Sequence, residues 1–223
     1  MDFRILEVKE QVLADNDRAA EDNRMLLNRT GTYLINLMGS PGAGKTSTLL
    51  RLINLLSDRY RLGVMEADVD SDVDAKSVSD AGARTIQLHT GGLCHMDADM
   101  TARGLRELNT DGLDIVFLEN VGNLVCPAEF DVGADLRMMI LSVPEGDDKP
   151  LKYPLMFTVS DVMIVNKIDT APIFDFDMSK AEARARALNP GIKVFPVSAK
   201  TGEGFVQLAA YLQELVEERR ARL

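Results

Sequence analysis

The chain has 223 residues, 46% of them hydrophobic, enough to bury a full core, and the expectation is one domain. Its formal net charge of -10 argues against a general nucleic-acid or acidic-membrane surface, since both partners need a basic face. There is no apolar run of about 18 residues and no signal-peptide stretch at the N-terminus, so a cytosolic protein with reduced cysteines is expected.

Residues 5–28 carry Ile5, Val8, Val12, Leu13, Ala19, Ala20, Leu26 and Leu27 at helical spacing, with charges filling much of the remainder. The pattern predicts an amphipathic helix, interrupted near Asp15, Asn16 and Asp17. Residues 1–28 then form an N-terminal helical extension ahead of a domain over 29–223. Such an extension either packs on that domain or docks a partner protein.

The apolar run from Tyr33 to Met38 leads into GSPGAGKT, Gly39 to Thr46, and then into helix formers as far as Leu56. Strand, glycine-rich turn and helix are the context in which G-x-x-x-x-G-K-[ST] binds phosphate. Gly39, Gly42 and Gly44 free the backbone to turn its N–H groups inward. Ala43 and Ser47 share the loop and the helix start, whose positive end adds attraction. Lys45 is expected at the β- and γ-phosphates and the Thr46 hydroxyl on Mg²⁺.

A second strand, Leu62 to Met65, ends in Glu66, Ala67 and Asp68, and carboxylates past a strand's C-terminal end lie where open α/β sheets bind ligands. Asp68 is the candidate Mg²⁺ ligand, direct or through water. Asp70, Asp72 and Asp74 read as a solvated loop. A third strand, Thr85 to Leu88, precedes a loop with Cys94 and His95, and a helix follows through Leu108.

The buried run Asp114 to Leu118 delivers Glu119 and Gly122, in the places where phosphate-loop enzymes keep a metal-reaching acid and a γ-phosphate-sensing glycine. Glu119 replaces the more usual Asp and remains a hard oxygen ligand. Asn123 stands where several GTPases have a water-orienting Gln, and Cys126 follows in the same loop. After a strand from Leu136 to Val143, residues 144–150 read as a loop.

The strand Asp161 to Val165 delivers Asn166, Lys167 and Asp169, an N-K-x-D element. An Asp carboxylate can accept from both guanine N1–H and the 2-amino group, which adenine cannot match. A helix from Ser179 to Leu188 leads to Ile192–Val197 and then Ser198, Ala199 and Lys200, matching the S-A-K element whose alanine N–H meets guanine O6. The final helix, Gly204 to Arg222, carries a core-packing stripe of Phe205, Leu208, Leu212 and Leu215.

From spacing alone, Cys94, His95 and Cys126 match no zinc-finger pattern, though two thiolates and an imidazole would suit Zn²⁺ or Ni²⁺ better than Mg²⁺. Phosphate loop, N-K-x-D and S-A-K in this order resemble a GTPase on a doubly wound, mostly parallel sheet flanked by helices. VLADND at Val12–Asp17 with Asn23 and Arg24, GLCHMD at Gly92–Asp97 and ENVGNLVCP at Glu119–Pro127 narrow the resemblance to the HypB family. These are GTPases that help insert nickel into nickel–iron hydrogenase, and the similarity runs from about residue 12 to the C-terminus.

The resemblance implies GTP and Mg²⁺ as cofactors and a nickel or zinc site on Cys94, His95 and Cys126. It also implies a homodimer when GTP is bound, with a small nickel-carrying accessory protein and the hydrogenase large subunit as partners. The Cys-x-x-Cys or histidine-rich N-terminal tract of many members is missing here, so a nickel-storage role is not expected. The alternatives are a urease accessory GTPase and a GTP-dependent binding switch without a metal role. Urease accessory GTPases carry Cys-Pro-His, whereas here Pro127 is followed by Ala128.

Overall fold

Apolar runs that do not alternate with polar residues suit strands covered on both faces. A computed structural model describes residues 8–68, 78 and 81–222, with the backbone alone for 8–10 and 68. In it the strands are β1 (Tyr33–Gly39), β2 (Leu62–Asp68), β3 (Arg84–His89), β4 (Ile115–Glu119), β5 (Leu136–Ser142), β6 (Val162–Asn166) and β7 (Lys193–Pro196), and such runs make the inner strands, while β3 and β7 at the edges are only partly buried. They form one sheet in the order β3-β2-β4-β1-β5-β6-β7, with every pair parallel. All the strands therefore end at one edge, and β1 stands at the centre, where the order reverses and open α/β sheets bind ligands.

The helices whose bounds are described are α1 (Val8–Thr30), α2 (Lys45–Leu56), α3 (Ala98–Leu108), α4 (Cys126–Glu129), α5 (Lys149–Lys152), α6 (Pro154–Val159), α7 (Met178–Leu188) and α8 (Phe205–Arg220). Side chains alternate across the sheet, so the inner strands feed a core on each face. Ile35, Leu37 and Phe117 pack with Leu52 and Leu56 of α2 and with Phe205 and Leu212 of α8. On the opposite face Leu34, Val116 and Leu118 meet Leu27 of α1 and Leu105 of α3, while Met139 and Met163 meet Phe157 of α6 and Ala185 of α7. Each fully buried side chain of this size contributes roughly 1.5–3 kcal/mol, so helices cover both faces of the sheet.

Two expectations change. Helix α1 runs unbroken through Asp15, Asn16 and Asp17, because Asn16 bonds outward to other elements and Asp15 accepts from Gln11 and Arg18 on the helix's own surface. Tertiary and i,i+4 bonds override a weak propensity. Residues 144–150, expected as loop, hold a 3₁₀ turn (Val143–Glu145) and the start of α5. Pro144, Pro150 and Pro154 each lie in the first turn of a short helix, where the missing N–H costs nothing.

Candidate nucleotide and metal site

The GSPGAGKT turn joins the end of the central strand to the start of α2 at Lys45. Gly44 sits at φ 98°, and a Cβ there would stand 2.3 Å from Asn166 Nδ2. Only glycine meets both demands. The turn walls a cleft of about 600 Å³ that Gly42, Lys45, Thr46, Ser47, Glu66, Glu119 and Gly122 also line. Thr46 Oγ1 donates to Glu119 Oε1 at 2.9 Å, and Lys45 Nζ donates to the Ser40 carbonyl at 3.3 Å.

Register explains why these groups meet. Glu119 is set beside Leu37 of β1 and beside Glu66 of β2 by the parallel ladders. Glu66 and Glu119 are both buried, giving two carboxylates and a hydroxyl at the mouth of a phosphate loop. That is a hard oxygen donor set, suited to Mg²⁺. Asp68 closes β2 opposite His89; its side chain, and all of Asp70, Asp72 and Asp74, lie outside the described residues.

On the other flank of β1, the N-K-x-D turn locks onto the phosphate loop. Asn166 Nδ2 donates to the Ala43 carbonyl at 3.0 Å, and Lys167 Nζ donates to the Gly42 carbonyl at 2.6 Å. Lys167 itself adopts a left-handed φ of 64°, which turns the chain so that Asp169 follows on the same side. Asp169 Oδ1 accepts from Ser198 Oγ at 2.6 Å, and the Ala199 N–H donates to Asn166 Oδ1 at 3.1 Å. Gly44, Ser47, Asn166, Lys167, Asp169, Ala199 and Lys200 surround a hollow of about 340 Å³.

Cys94 and His95 follow β3 and Cys126 opens α4 after β4, so the loops bearing them meet over the end of β2. Their ligating atoms all lie within 4.8 Å of one another, with the two sulfurs 2.8 Å apart and Cys94 Sγ 3.7 Å from His95 Nδ1. The Cys94 thiol, and then burial, push the Cys126 thiol up; a bound cation would relieve two adjacent thiolates. Burial holds the His95 imidazole below its ordinary value against the pull of Asp97 and Glu129. The ring stacks on Phe130 with centroids 4.0 Å apart. Two sulfurs and a neutral imidazole fit a borderline or soft metal.

Several residues make contacts here that the motifs did not assign to them. Arg51 of α2 donates to the Ala199 and Lys200 carbonyls at 2.8 and 2.9 Å, fixing the S-A-K turn from the phosphate-loop helix. Glu66 lies on β2 opposite Glu119, and its place in the apolar run 62–67 carries no motif that would have singled it out. Asn123 donates its N–H to the Gly39 carbonyl at 3.0 Å and its side-chain amide to the Cys94 carbonyl at 3.4 Å. Asn120, fully buried, accepts from Met96 N–H at 3.1 Å and donates to Asn36 Oδ1 at 3.1 Å. Nothing in local sequence marks those pairings, which join distant strands.

A phosphate loop tied to a guanine-type turn on one flank and to a Cys/His cluster on the other is a specific combination, and comparison with known proteins agrees. Residues 33–196 match the model of the CobW/HypB/UreG nucleotide-binding domain. The chain is 43% identical over 219 residues to the hydrogenase maturation factor HypB of Rhizobium leguminosarum bv. viciae, covering 98% of this chain and 73% of that protein. Among solved structures, HypB from Helicobacter pylori in complex with nickel superposes with a TM-score of 0.87 at 34% identity, over 92% of this chain and 96% of that one. HypB from Archaeoglobus fulgidus superposes with a TM-score of 0.86 at 37% identity, over 92% of this chain and all of the other. By sequence and fold, this chain belongs to the HypB family of hydrogenase maturation GTPases.

Proposed function

We propose that the chain is a GTP-hydrolysing metallochaperone that carries nickel as cargo on Cys94, His95 and Cys126 and surrenders it when the nucleotide changes state. Lys45 and the backbone from Gly39 to Thr46 bind the phosphates, Ser47 supports the loop from α2, and Gly122 senses the γ-phosphate. Asn166, Lys167, Asp169, Ser198, Ala199 and Lys200 recognise guanine. Thr46 and Glu119, with Glu66 beside them and Asp68 at the strand end, would hold Mg²⁺. When bound, that ion supplies the charge that offsets the developing negative charge on the transferred phosphoryl group. Zn²⁺ is the competing occupant of the Cys/His cluster, since its preferred donors are the same.

The observation that carries this reading is Asn123. One residue after the γ-phosphate sensor, it hydrogen-bonds the first glycine of the phosphate loop, the backbone of Cys94 and, through Oδ1, the Val125 N–H next to Cys126 at 2.8 Å. A shift of this loop on GTP binding therefore moves both metal-bearing segments, a form of switching that γ-phosphate contacts drive elsewhere. Three protein ligands leave the site short of tetrahedral or square-planar coordination, and a second copy of the chain completes it in a GTP-bound homodimer. Leu93 and Val125, 47% and 49% exposed beside the cysteines, supply apolar area for that contact.

The small nickel-carrying accessory protein and the hydrogenase large subunit complete the proposed cytoplasmic assembly. The accessory protein docks on the outward face of the N-terminal extension, residues 1–28, whose helix α1 packs on the domain at 29–223, and Val12 and Met25, each 49% exposed on α1, support that role. No helix among the described residues is long and apolar enough to cross a membrane. The test is nickel affinity and particle mass in GDP and in a GTP analogue, for wild type, Cys94→Ala and Cys126→Ala. Tighter nickel binding with the analogue, matched by an equal tightening of the analogue by nickel, is expected by linkage. Nickel binding that ignores both substitutions, or ignores the nucleotide, defeats the reading.

A further inference from the structure

Two asparagines of α1, Asn16 and Asn23, lie seven positions apart and so on one face of the helix, and both are buried. Each bridges the same two segments. Asn16 Oδ1 accepts from the Ala98 N–H at 2.9 Å while its Nδ2 donates to the Asp131 carbonyl at 2.9 Å. Asn23 Nδ2 donates to the Ala98 carbonyl at 2.8 Å and to the Val132 carbonyl at 3.1 Å. Ala98 opens α3, directly after the loop of Cys94 and His95; Asp131 and Val132 follow α4, which Cys126 begins.

The rest of the junction is equally close. Asp131 is paired with Arg24 of α1 and, at 2.8 Å, with Arg137. A Cβ at Gly133, φ 79°, would stand 2.4 Å from the Ala20 carbonyl, so the loop backbone lies directly against the helix. Phe130, next to Asp131, stacks on His95 and joins the two segments at the cluster itself.

We propose that α1 is a bracket for the metal-bearing loops, with Asn16 and Asn23 as positioning residues that set the separation of Cys94 and His95 from Cys126. The proposal deepens the nickel reading above and rests on it for its metal readout. Residues that orient ligands without touching the metal typically change its affinity by roughly 10–100-fold. The bracket also gives α1 a second use beyond packing: a displacement of the helix is transmitted through four hydrogen bonds to both loops at once.

The test uses the full chain and two readouts. Nickel titration, followed by the thiolate-to-nickel charge-transfer band, should show at least ~10-fold weaker binding in Asn16→Ala/Asn23→Ala, with the affinity for a GTP analogue retained. The metal-free readout is closure of a Cys94–Cys126 disulfide by diamide, which takes two electrons and two protons from the two thiols as the S–S bond forms. Closure should slow in the double variant. Asn16→Asp keeps the acceptor for Ala98 but loses the donor to Asp131, so it should fall between, and it carries the test if the double variant does not fold. Val216→Ala, a core change in α8 on the opposite face of the sheet, should leave both readouts as in wild type. Slow closure in a protein whose nickel binding ignores Cys94→Ala supports the bracket and sinks the metal reading instead. Unchanged closure and unchanged nickel affinity, or equal losses in Val216→Ala, overturn the bracket.

Discussion

The two flanks of β1 are built on different principles. Toward β6 and β7 the nucleotide site is interlocked: Asn166 and Ser198 are buried, and Asn166, Lys167 and Arg51 hold three backbone turns in fixed relation through side-chain bonds. Toward β2 and β3 the Cys/His cluster lies on the rim, with Cys94 exposed and His95 and Cys126 half-buried, on segments held by Asn120, Asn123 and α1. A site that must recognise one base benefits from preorganisation, because groups already in place cost little to order on binding. A site that must release its cargo benefits from ligands on loops that can be displaced. The contrast is between a buried, interlocked site and an exposed cluster on the rim, joined at Gly122 and Asn123.

The comparison can be broken from the phosphate side first. Lys45→Ala should lower single-turnover GTP hydrolysis by roughly 10²–10³-fold, the usual cost of losing one charge-stabilising donor. Nickel affinity in the GDP state should not change. A parallel loss of nickel binding would show that the two flanks are one cooperative unit.

A smaller effect is expected in base recognition. Asp169→Asn exchanges a paired acceptor for an amide, removing charge-assisted bonds worth about 1.5–3 kcal/mol each, so GTP affinity should fall by about 10²-fold while xanthine nucleotides gain. Equilibrium binding of GTP, ATP and xanthosine triphosphate checks this. Equal binding of ATP and GTP by wild type would remove the basis for the assignment.

The smallest effect sharpens the metal flank. Burial alone would raise the Asp131 carboxyl, but the Gly133 N–H, Arg24 and Arg137 together hold it below its ordinary value. A carboxyl depressed in the folded state adds stability above its unfolded pKa and loses it as pH falls through the folded one. Arg24→Ala should therefore cost about 1 kcal/mol at neutral pH, with the difference from wild type closing in acid. Urea melts across that range test the sign, and a gap that widened in acid would contradict it.

The motifs were legible because their chemistry is local. A phosphate loop needs glycines in sequence, and N-K-x-D needs its groups within one turn after a buried strand, so a contiguous string carries the whole requirement. The short helices α4, α5 and α6 were not legible. Each starts on a proline or has one in its first turn, and proline reads as loop until packing shows that the helix follows it. The break expected in α1 failed for the converse reason, since Asn16 has its side chain committed to residues far away in sequence.

By itself the sequence determined the strands, the phosphate loop and, through resemblance, the family, and it supplied the residues proposed above to read guanine and to hold metal. Hydrophobic runs and turn chemistry act over a few residues, and a linear string records them. Only the tertiary structure decided that β4 lies between β1 and β2, which sets Glu119 beside Glu66. It likewise decided that two distant loops bring Cys94, His95 and Cys126 within 4.8 Å, and that α1 ties those loops together. Strand order and loop-to-loop hydrogen bonds depend on which surfaces bury each other best across the whole chain. No local pattern records that competition.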